Sequence, residues 1–192
     1  MKIKNFIPAI LLLSAGCAYV PERVEVSYRP PVQVEKIPAA TAIAVAVQVV
    51  DVRREGKPVG RKKNGKGNET ASIYLSNDII EEVSYALNTE LFHRGFSLNE
   101  GERLVQVEVQ KFYNEFKQGF FGSRGVAELL LAVSVTRSDG TITYSKMIFG
   151  IGENDHVWIH SGNNARRGLE GALNDAIKKL FRDKAFLQAL TK

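Results

Sequence analysis

Two histidines lie close enough in the sequence to share a metal ion. In the segment Asp155-His156-Val-Trp-Ile-His160 the two imidazoles are four residues apart, which places both on one side of a helix or a strand. A zinc site needs a third ligand, and the sequence offers only Glu153, Asp155 or the distant His93. Most such pairs face solvent or form hydrogen bonds within the protein. We therefore predict no metal site and no cofactor.

A second segment comes close to a nucleotide-binding loop without completing it. Residues 60–67 read Gly-Arg-Lys-Lys-Asn-Gly-Lys-Gly, whereas the phosphate-binding loop requires Ser or Thr after the lysine, because that hydroxyl binds magnesium. The hydrolase pattern Gly-x-Ser-x-Gly is also missing, since residues 122–125 have a different spacing. The paired carboxylates of Glu81 and Glu82 suit the first turn of a helix. We therefore predict that the protein is not an enzyme.

The single cysteine predicts a different chemistry, namely lipid attachment. The chain starts with the basic residues Lys2 and Lys4, continues with an apolar run over residues 6–13, and reaches Cys17 through small residues. This run is too short to cross a hydrocarbon core of about 30 Å, so it is typical of a cleaved export signal. Its end resembles the bacterial lipobox, although Ser replaces the commonest residue, Leu, at one position. The expected recognition sequence of signal peptidase II is Leu13, Ser14, Ala15 and Gly16.

Processing before Cys17 would make it the N-terminal residue, carrying diacylglycerol and palmitate. Several acyl chains anchor a protein stably, whereas one chain binds only marginally. Residue 18 is Ala rather than Asp, which commonly retains enterobacterial lipoproteins in the inner membrane, so the resemblance implies an outer-membrane lipoprotein facing the periplasm. Loss of residues 1–16 would lower the formal net charge from +5 to +3. The alternative is cleavage after Ala18 by ordinary signal peptidase, which would release a soluble protein.

Proline usage divides the remaining chain. Four of the six prolines lie within residues 18–40, and proline favours extended backbone that reaches about 3.1 Å per residue. The predicted organisation is a signal peptide at 1–16, the lipidated cysteine with a Pro-rich tether at 17–40, and a globular domain at 41–192. The alternative for the tether is that Val24-Glu-Val26 or Val32-Gln-Val34 pairs as an edge strand, because apolar and polar residues alternate there.

The hydrophobic pattern of the domain predicts an α+β fold. Alternation indicates strands at 43–49, 104–113, 126–137 and 141–151, with Ser138-Asp-Gly140 turning the last two into a hairpin. Apolar residues at helical spacing predict helices at 76–94, capped by Ser76 or Asn77, and at 165–181, with a further turn near 186–190. Residues 54–72 predict a polar loop. We expect a single mostly antiparallel (mixed) sheet of about four to five strands, with two helices packed on one face.

A basic segment is the first candidate for binding. Residues 53–66 contain seven cations opposed only by Glu55, a local formal charge of +6, namely Arg53, Arg54, Lys57, Arg61, Lys62, Lys63 and Lys66. Such a segment suits an anionic envelope component, such as lipid phosphates or peptidoglycan carboxylates. Export argues against nucleic acid as the partner. The alternative is a solvated loop that keeps the protein soluble.

An aromatic pair is the second candidate. Phe120 and Phe121 lie between Gly119 and Gly122, where a turn is expected, and adjacent exposed aromatics tend to mark an interaction site. We therefore predict that they contact a partner protein or lipid. The alternative is that both rings fold back onto the sheet.

Several segments, taken in order, match one known family. They are the lipobox, the Pro-bearing spacer, Val50-Asp-Val-Arg53, the Val59-Gly60 step, Arg94-Gly-Phe96, the Ser-Asp-Gly hairpin and Asp183-Lys-Ala-Phe-Leu187. Together they resemble the YajG-like family of bacterial lipoproteins over nearly the whole chain. The resemblance implies an α+β domain tethered to the outer membrane, and it supplies no catalytic residues.

The sequence thus predicts a lipid-anchored envelope lipoprotein with a non-catalytic binding or scaffolding role. Its expected partners are the membrane, through the anchor, and an anionic envelope component or envelope protein. The alternative is an auxiliary lipoprotein of an envelope lipid-transport system. An apolar pocket between helices and sheet would favour the alternative, whereas a filled core would favour binding on the surface.

Overall fold

The computed structural model describes residues 19–53, 57–99, 101–119 and 122–192, without the side chain of His156. Within them the fold is one open sheet with three helices. The strands are β1 (Glu22–Val24), β2 (Val45–Asp51), β3 (Gly60–Lys63), β4 (Glu69–Leu75), β5 (Arg103–Gly119), β6 (Gly122–Arg137) and β7 (Ile142–Val157). The helices are α1 (Ile79–Arg94), α2 (Gly162–Arg182) and α3 (Lys184–Thr191), and a 3₁₀ turn covers Pro38–Ala42.

The sheet is mixed and centred on β5. Its order is β1-β4-β3-β5-β6-β7, and β2 pairs in parallel with the first half of β5. The long antiparallel pairs β5–β6 and β6–β7 form its other half. The turn between β6 and β7 is the predicted Ser-Asp-Gly hairpin, with Gly140 at φ 84 and the Arg137 amide donating to the Thr141 carbonyl at 2.9 Å. The α+β class and the mixed sheet are therefore confirmed.

Local signals explain where the helices begin and end. Asp78 caps α1 by accepting a hydrogen bond from the Ile80 amide at 2.8 Å, so the predicted cap at Ser76 or Asn77 was wrong by one or two residues. Gly95 ends α1 in the left-handed region, at φ 99. Asp183 ends α2 and caps α3, which makes the expected last turn a separate third helix.

The helix α2 packs directly on β7 because two glycines leave no side chain between them. A Cβ atom on Gly152 would lie 1.9 Å from the Gly168 carbonyl oxygen, and one on Gly150 would lie 2.2 Å from the Ala172 carbonyl oxygen. The alternate buried residues of β5 and β6 face the same layer, with Phe116, Leu129 and Leu131 fully buried. This part of the core is filled to contact distance.

The sheet has seven strands rather than four or five. The expected loop at 54–72 contains β3 and most of β4. The hydrophobic pattern missed β3 because its core-facing side chain is Lys62, only 3% exposed, whose long apolar stem is buried like that of a core residue. Residues 22–24 are also a strand, since β1 pairs in parallel with β4; this strand overlaps the alternative at 24–26 only at Val24.

The segment after β1 is bound to the domain rather than extended away from it. Asn77 accepts a hydrogen bond from the Val26 amide at 3.1 Å and donates one to the Val26 carbonyl at 2.8 Å. The Tyr28 amide donates to Glu82, and its buried hydroxyl donates to Glu90. Burial, followed by that hydrogen bond, raises the pKa of Tyr28 well above its ordinary value, so the hydroxyl remains a donor. The folded unit therefore starts before residue 41, and residues 22–28 of the predicted tether belong to it.

Candidate functional site

Four segments meet at the end of the sheet where β5 turns into β6, which we call the hairpin end. Gly119 pairs with Gly122 there, and the end of β7 lies beside the start of β6, since Val157 pairs with Ser123. Strand β3 is parallel to β5 and runs towards the same end. Strand β1 is parallel to β4, and its first residue lies nearest to this end. The hairpin end thus comprises residues 19–20, the turn 64–68, the ends of β5 and β6, and the loop 158–161.

A cleft of about 720 Å³ opens between these segments. Its lining combines apolar, basic and small residues, namely Glu22, Lys62, Lys63, Asn64, Gly65, Gln118, Gly119, Gly122, Ser123, Val157, Trp158, Ile159, His160 and Ser161. Concave sites of this size with a few polar groups are the usual location of a binding site. The cleft is therefore the candidate functional site of the described structure.

A partly buried ion pair lines the cleft. The Lys62 ammonium contacts the Glu22 carboxylate and donates a hydrogen bond to the Val20 carbonyl at 3.0 Å. The same carboxylate accepts a hydrogen bond from the Gly162 amide, the first residue of α2. A carboxylate at the N-terminus of a helix is stabilised by the helix dipole. One ion pair therefore joins β1, β3 and α2.

His160 is held by the fold at the wall of the cleft. Its Nδ1 lies 2.9 Å from the Lys63 carbonyl oxygen, so Nδ1 carries the hydrogen and donates it. Its ring stacks on Phe116, with centroids 4.6 Å apart and an angle of 24° between the planes. Nε2 is buried and has no hydrogen-bond partner within the described residues. The side chain of His156 lies outside the described structure, and the described residues contain no group of three metal-binding side chains.

Four of the seven predicted cations form ion pairs in the structure. Lys62 pairs with Glu22, as above. The other pairs are Arg53 with Asp51 at 2.8 Å, Arg61 with Glu69 at 3.3 Å, and Lys63 with Glu115 at 3.5 Å. Lys57 and Lys66 are exposed without an ion pair in the described part of the chain, and Arg54 lies outside it. The acids come from strands outside the basic segment, so its local charge of +6 is largely compensated.

Arg53 and Asp51 show this compensation most fully. Two guanidinium nitrogens donate to the two carboxylate oxygens, at 2.9 and 2.8 Å. Partial burial acts to raise the pKa of Asp51, but the hydrogen bonds and charge of Arg53 outweigh it and hold that pKa below its usual range. The charge of Arg53 is thereby balanced by Asp51 at the end of β2.

Exposed apolar side chains border the cleft on two adjoining segments, one of which lies between the two histidines of the sequence. Trp158 is 84% exposed and Ile159 is 72% exposed, and Tyr19 and Val20 on the neighbouring segment are 64% and 57% exposed. It is unusual for a soluble domain to expose several large apolar side chains to this extent on adjoining segments. The signal that could have identified them is an apolar pair, including the only tryptophan, placed between the end of a strand and the helix-capping Ser161.

Several predicted site residues lie outside the described structure. They are Cys17 with its recognition residues at 13–16, and the aromatic pair Phe120 and Phe121. The glycines that flank the aromatic pair line the cleft. None of the described helices has the length and apolarity that crossing a membrane requires.

Solved structures of low sequence identity share this fold. A protein of the DUF330 family from Xanthomonas campestris is 13% identical, with 86% of this chain and 96% of that chain covered and a TM-score of 0.60. An uncharacterised protein is 7% identical, with coverages of 85% and 97% and a TM-score of 0.54. A minor lipoprotein from Acinetobacter baumannii is 9% identical, with coverages of 76% and 94% and a TM-score of 0.46. The first two likenesses establish the fold alone.

A family comparison adds the class of protein. The model of a family described as uncharacterised lipoproteins matches residues 30–191, and no curated protein matches the chain. The match covers most of the chain and confirms the resemblance to YajG-like lipoproteins. The protein therefore belongs to this family of bacterial lipoproteins.

Proposed function

We propose that the protein is an outer-membrane lipoprotein, anchored by acyl chains on Cys17, whose domain faces the periplasm and binds an envelope component without catalysing a reaction. The family match supports the lipoprotein class. The export signal and lipobox support Cys17 as the attachment point, and Ala18 supports sorting to the outer membrane. The basic segment contributes less to binding than its charge suggests, because most of its described cations have acidic partners.

The cleft at the hairpin end carries the proposal of a binding role. A catalytic acid or base must be free to exchange a proton with a substrate. In the cleft, Lys62 is bound to Glu22, and the proton-bearing nitrogen of His160 is bound to the Lys63 carbonyl. The largest exposed side chains of the cleft are apolar, namely Trp158 and Ile159. These apolar side chains suit binding to a partner better than catalysis.

The packing of α2 favours surface binding over the lipid-transport alternative. A protein that carries acyl chains between helices and sheet needs an apolar cavity there. At Gly150 and Gly152 the backbones of β7 and α2 are in direct contact, so this part of the interface is filled. We therefore place the binding site at the hairpin end.

The anchor is tested by Cys17→Ser and Ala18→Asp in an enterobacterial host. We expect Cys17→Ser to lose labelling by palmitate, and Ala18→Asp to keep the label while moving from the outer-membrane to the inner-membrane fraction of a density gradient. Labelling that persists in Cys17→Ser would show that the anchor is elsewhere.

The binding role is tested by crosslinking in intact cells. A photoreactive residue at Gln118, which lines the cleft, is expected to capture an envelope component. The matched control is the same residue at Ile142, which is 64% exposed at the far end of β7. Equal capture from both positions, or none from Gln118, would contradict a binding site in the cleft.

A further inference from the structure

The position of the N-terminal segment restricts how the domain meets its membrane. From Glu22 onward the chain is bound to the fold through β1, and the Val20 carbonyl is held by Lys62. Three residue steps separate Cys17 from Val20, and an extended chain reaches at most about 3.6 Å per residue, so the free reach is about 11 Å. This reach is much shorter than that of a tether running to residue 40.

That short connection leaves the domain at the hairpin end. The residue pairing of β1 with β4 directs residues 20 and 19 towards the turn 64–68. Glu22, bound to Lys62, also accepts the hydrogen bond from Gly162, at the end of the loop that carries Trp158 and Ile159. The chain that leads to the anchor and the exposed apolar pair are therefore joined through the same carboxylate.

From this geometry we propose that the hairpin end rests on the phospholipid leaflet that holds the anchor, with Trp158 and Ile159 inserted at the depth of the headgroups and glycerol. This inference depends on lipidation of Cys17, as proposed above. Tryptophan suits that depth because its large apolar ring carries one N–H donor, and Trp and Tyr are enriched at membrane interfaces. Tyr19, 64% exposed and two residues from the anchor, adds a second such ring.

The charge of this end is compatible with anionic headgroups. Lys66 and Lys117 are exposed, and neither has an ion-pair partner in the described ranges. The acids nearby are mostly engaged, since Glu69 pairs with Arg61, Glu115 with Lys63, and Glu153 with Arg124 at 3.7 Å, which leaves Asp155 exposed. Uncompensated lysines beside an apolar pair are attracted to an anionic leaflet.

Exposed apolar side chains also occur away from the hairpin end, among them Met147, Phe149 and Ile151 on β7, which are 40–51% exposed. Phe92 and Ile142 are each more than 60% exposed, but they lie on α1 and at the start of β7. Ile142 is at the opposite end of the sheet, since it pairs with Thr136 beside the β6–β7 turn. Single exposed apolar residues are ordinary on soluble proteins. Ile142 therefore provides a control position of similar exposure.

The only tryptophan makes the test direct. The full lipidated protein is reconstituted into vesicles of phosphatidylethanolamine and phosphatidylglycerol, with or without bromine on the acyl chains. We expect Trp158 emission to shift to shorter wavelength on reconstitution and to be lost in brominated vesicles. In the matched control, Trp158→Phe combined with Ile142→Trp, emission should keep its position and intensity.

The possible results distinguish a failure of this inference from a failure of the proposed function. A protein that fails to float with the vesicles and carries no palmitate contradicts the anchor. A protein that floats with Trp158 unquenched overturns docking of the hairpin end while the anchor stands. Equal quenching at positions 158 and 142 also overturns it, because no particular face would then meet the lipid. A blue-shifted Trp158 in a dimer without lipid would make a second copy the occupant and overturn it as well.

Discussion

Replacing Lys62 by Met removes the ammonium of the Glu22–Lys62 ion pair and keeps most of the side-chain volume. The variant leaves the Glu22 carboxylate with the Gly162 amide as its remaining partner, and it removes the donor from the Val20 carbonyl. Breaking a fully buried pair costs about 3–5 kcal/mol, but the Glu22 side chain is 36% exposed, so water recovers part of that cost. The lost hydrogen bond adds about 1 kcal/mol. We expect the free energy of unfolding to fall by about 2–3 kcal/mol.

Arg61→Met is the matched control for this loss. Arg61 is the preceding residue on β3 and also has an acidic partner, but its side chain is 44% exposed and that of Glu69 is 53% exposed. Exposed pairs contribute about 0–1 kcal/mol, so the control should unfold nearly as the parent protein does. Urea titration at pH 7 of the full chain measures both variants. The double variant Glu22→Gln with Lys62→Met should lose less than the sum of its single changes, because the two groups interact.

Equal stability of Lys62→Met and Arg61→Met would refute this reasoning. It would mean that the ion pair contributes nothing beyond a surface pair and that β1 is held by its strand pairing alone. Additive losses in the double variant would lead to the same conclusion.

Three further predictions follow from the packing, the N-terminal contacts and the pH dependence. Gly152→Ala should lower the free energy of unfolding by about 3 kcal/mol or more because its Cβ would overlap the Gly168 carbonyl, whereas Gly65→Ala, with nothing within 4 Å, should change it by less than about 0.5 kcal/mol in urea titration. Asn77→Ala loses two hydrogen bonds to Val26, at about 1 kcal/mol each, and should accelerate tryptic cleavage after Arg23; unchanged cleavage would show that these bonds do not hold the segment. The hydrogen bond from Lys146 holds the pKa of Asp183 below its usual value against partial desolvation, so its stabilisation is present above about pH 4 and is lost as the pH falls through the lowered pKa. Asp183→Asn should reduce the loss of unfolding free energy towards low pH, measured by urea titrations from pH 2 to 7. An equal loss in the variant would assign the pH dependence to other groups.

The elements predicted well from the sequence are those whose signals are local. The Ser-Asp-Gly hairpin and the end of α1 at Gly95 each need only a few neighbouring residues and a positive φ at glycine. The long strands β5 and β6 alternate over most of their length, apart from a bulge between Val109 and Lys111, so most of their core-facing residues could be assigned from the sequence. Phe112 and Phe116, which follow the same alternation, are buried in β5.

The elements that were missed depend on partners far away in the sequence. On β3 the core-facing position is Lys62, whose acid lies forty residues earlier at Glu22, and a pattern of apolar residues cannot show such a pairing. The net charge of the predicted basic segment was overestimated for the same reason, because it was counted without Glu22, Glu69 and Glu115 on other strands. The sequence identified the cations correctly but could not show that most of those described were already paired.

The Glu22–Lys62 pair links the stability of the fold to its orientation on the membrane. A lipid on a flexible tether limits the distance between the domain and the membrane but leaves the domain free to rotate. A chain fixed from residue 20 limits both this distance and the rotation of the domain. If β1 is released, the free chain runs from Cys17 to the Asn77 contacts at Val26, nine residue steps that reach about 30 Å. Lys62→Met should therefore reduce quenching of Trp158 by brominated lipid without reducing flotation with the vesicles. A variant that loses stability but keeps full quenching would show that the apolar pair holds the domain on the leaflet without help from the short N-terminal connection.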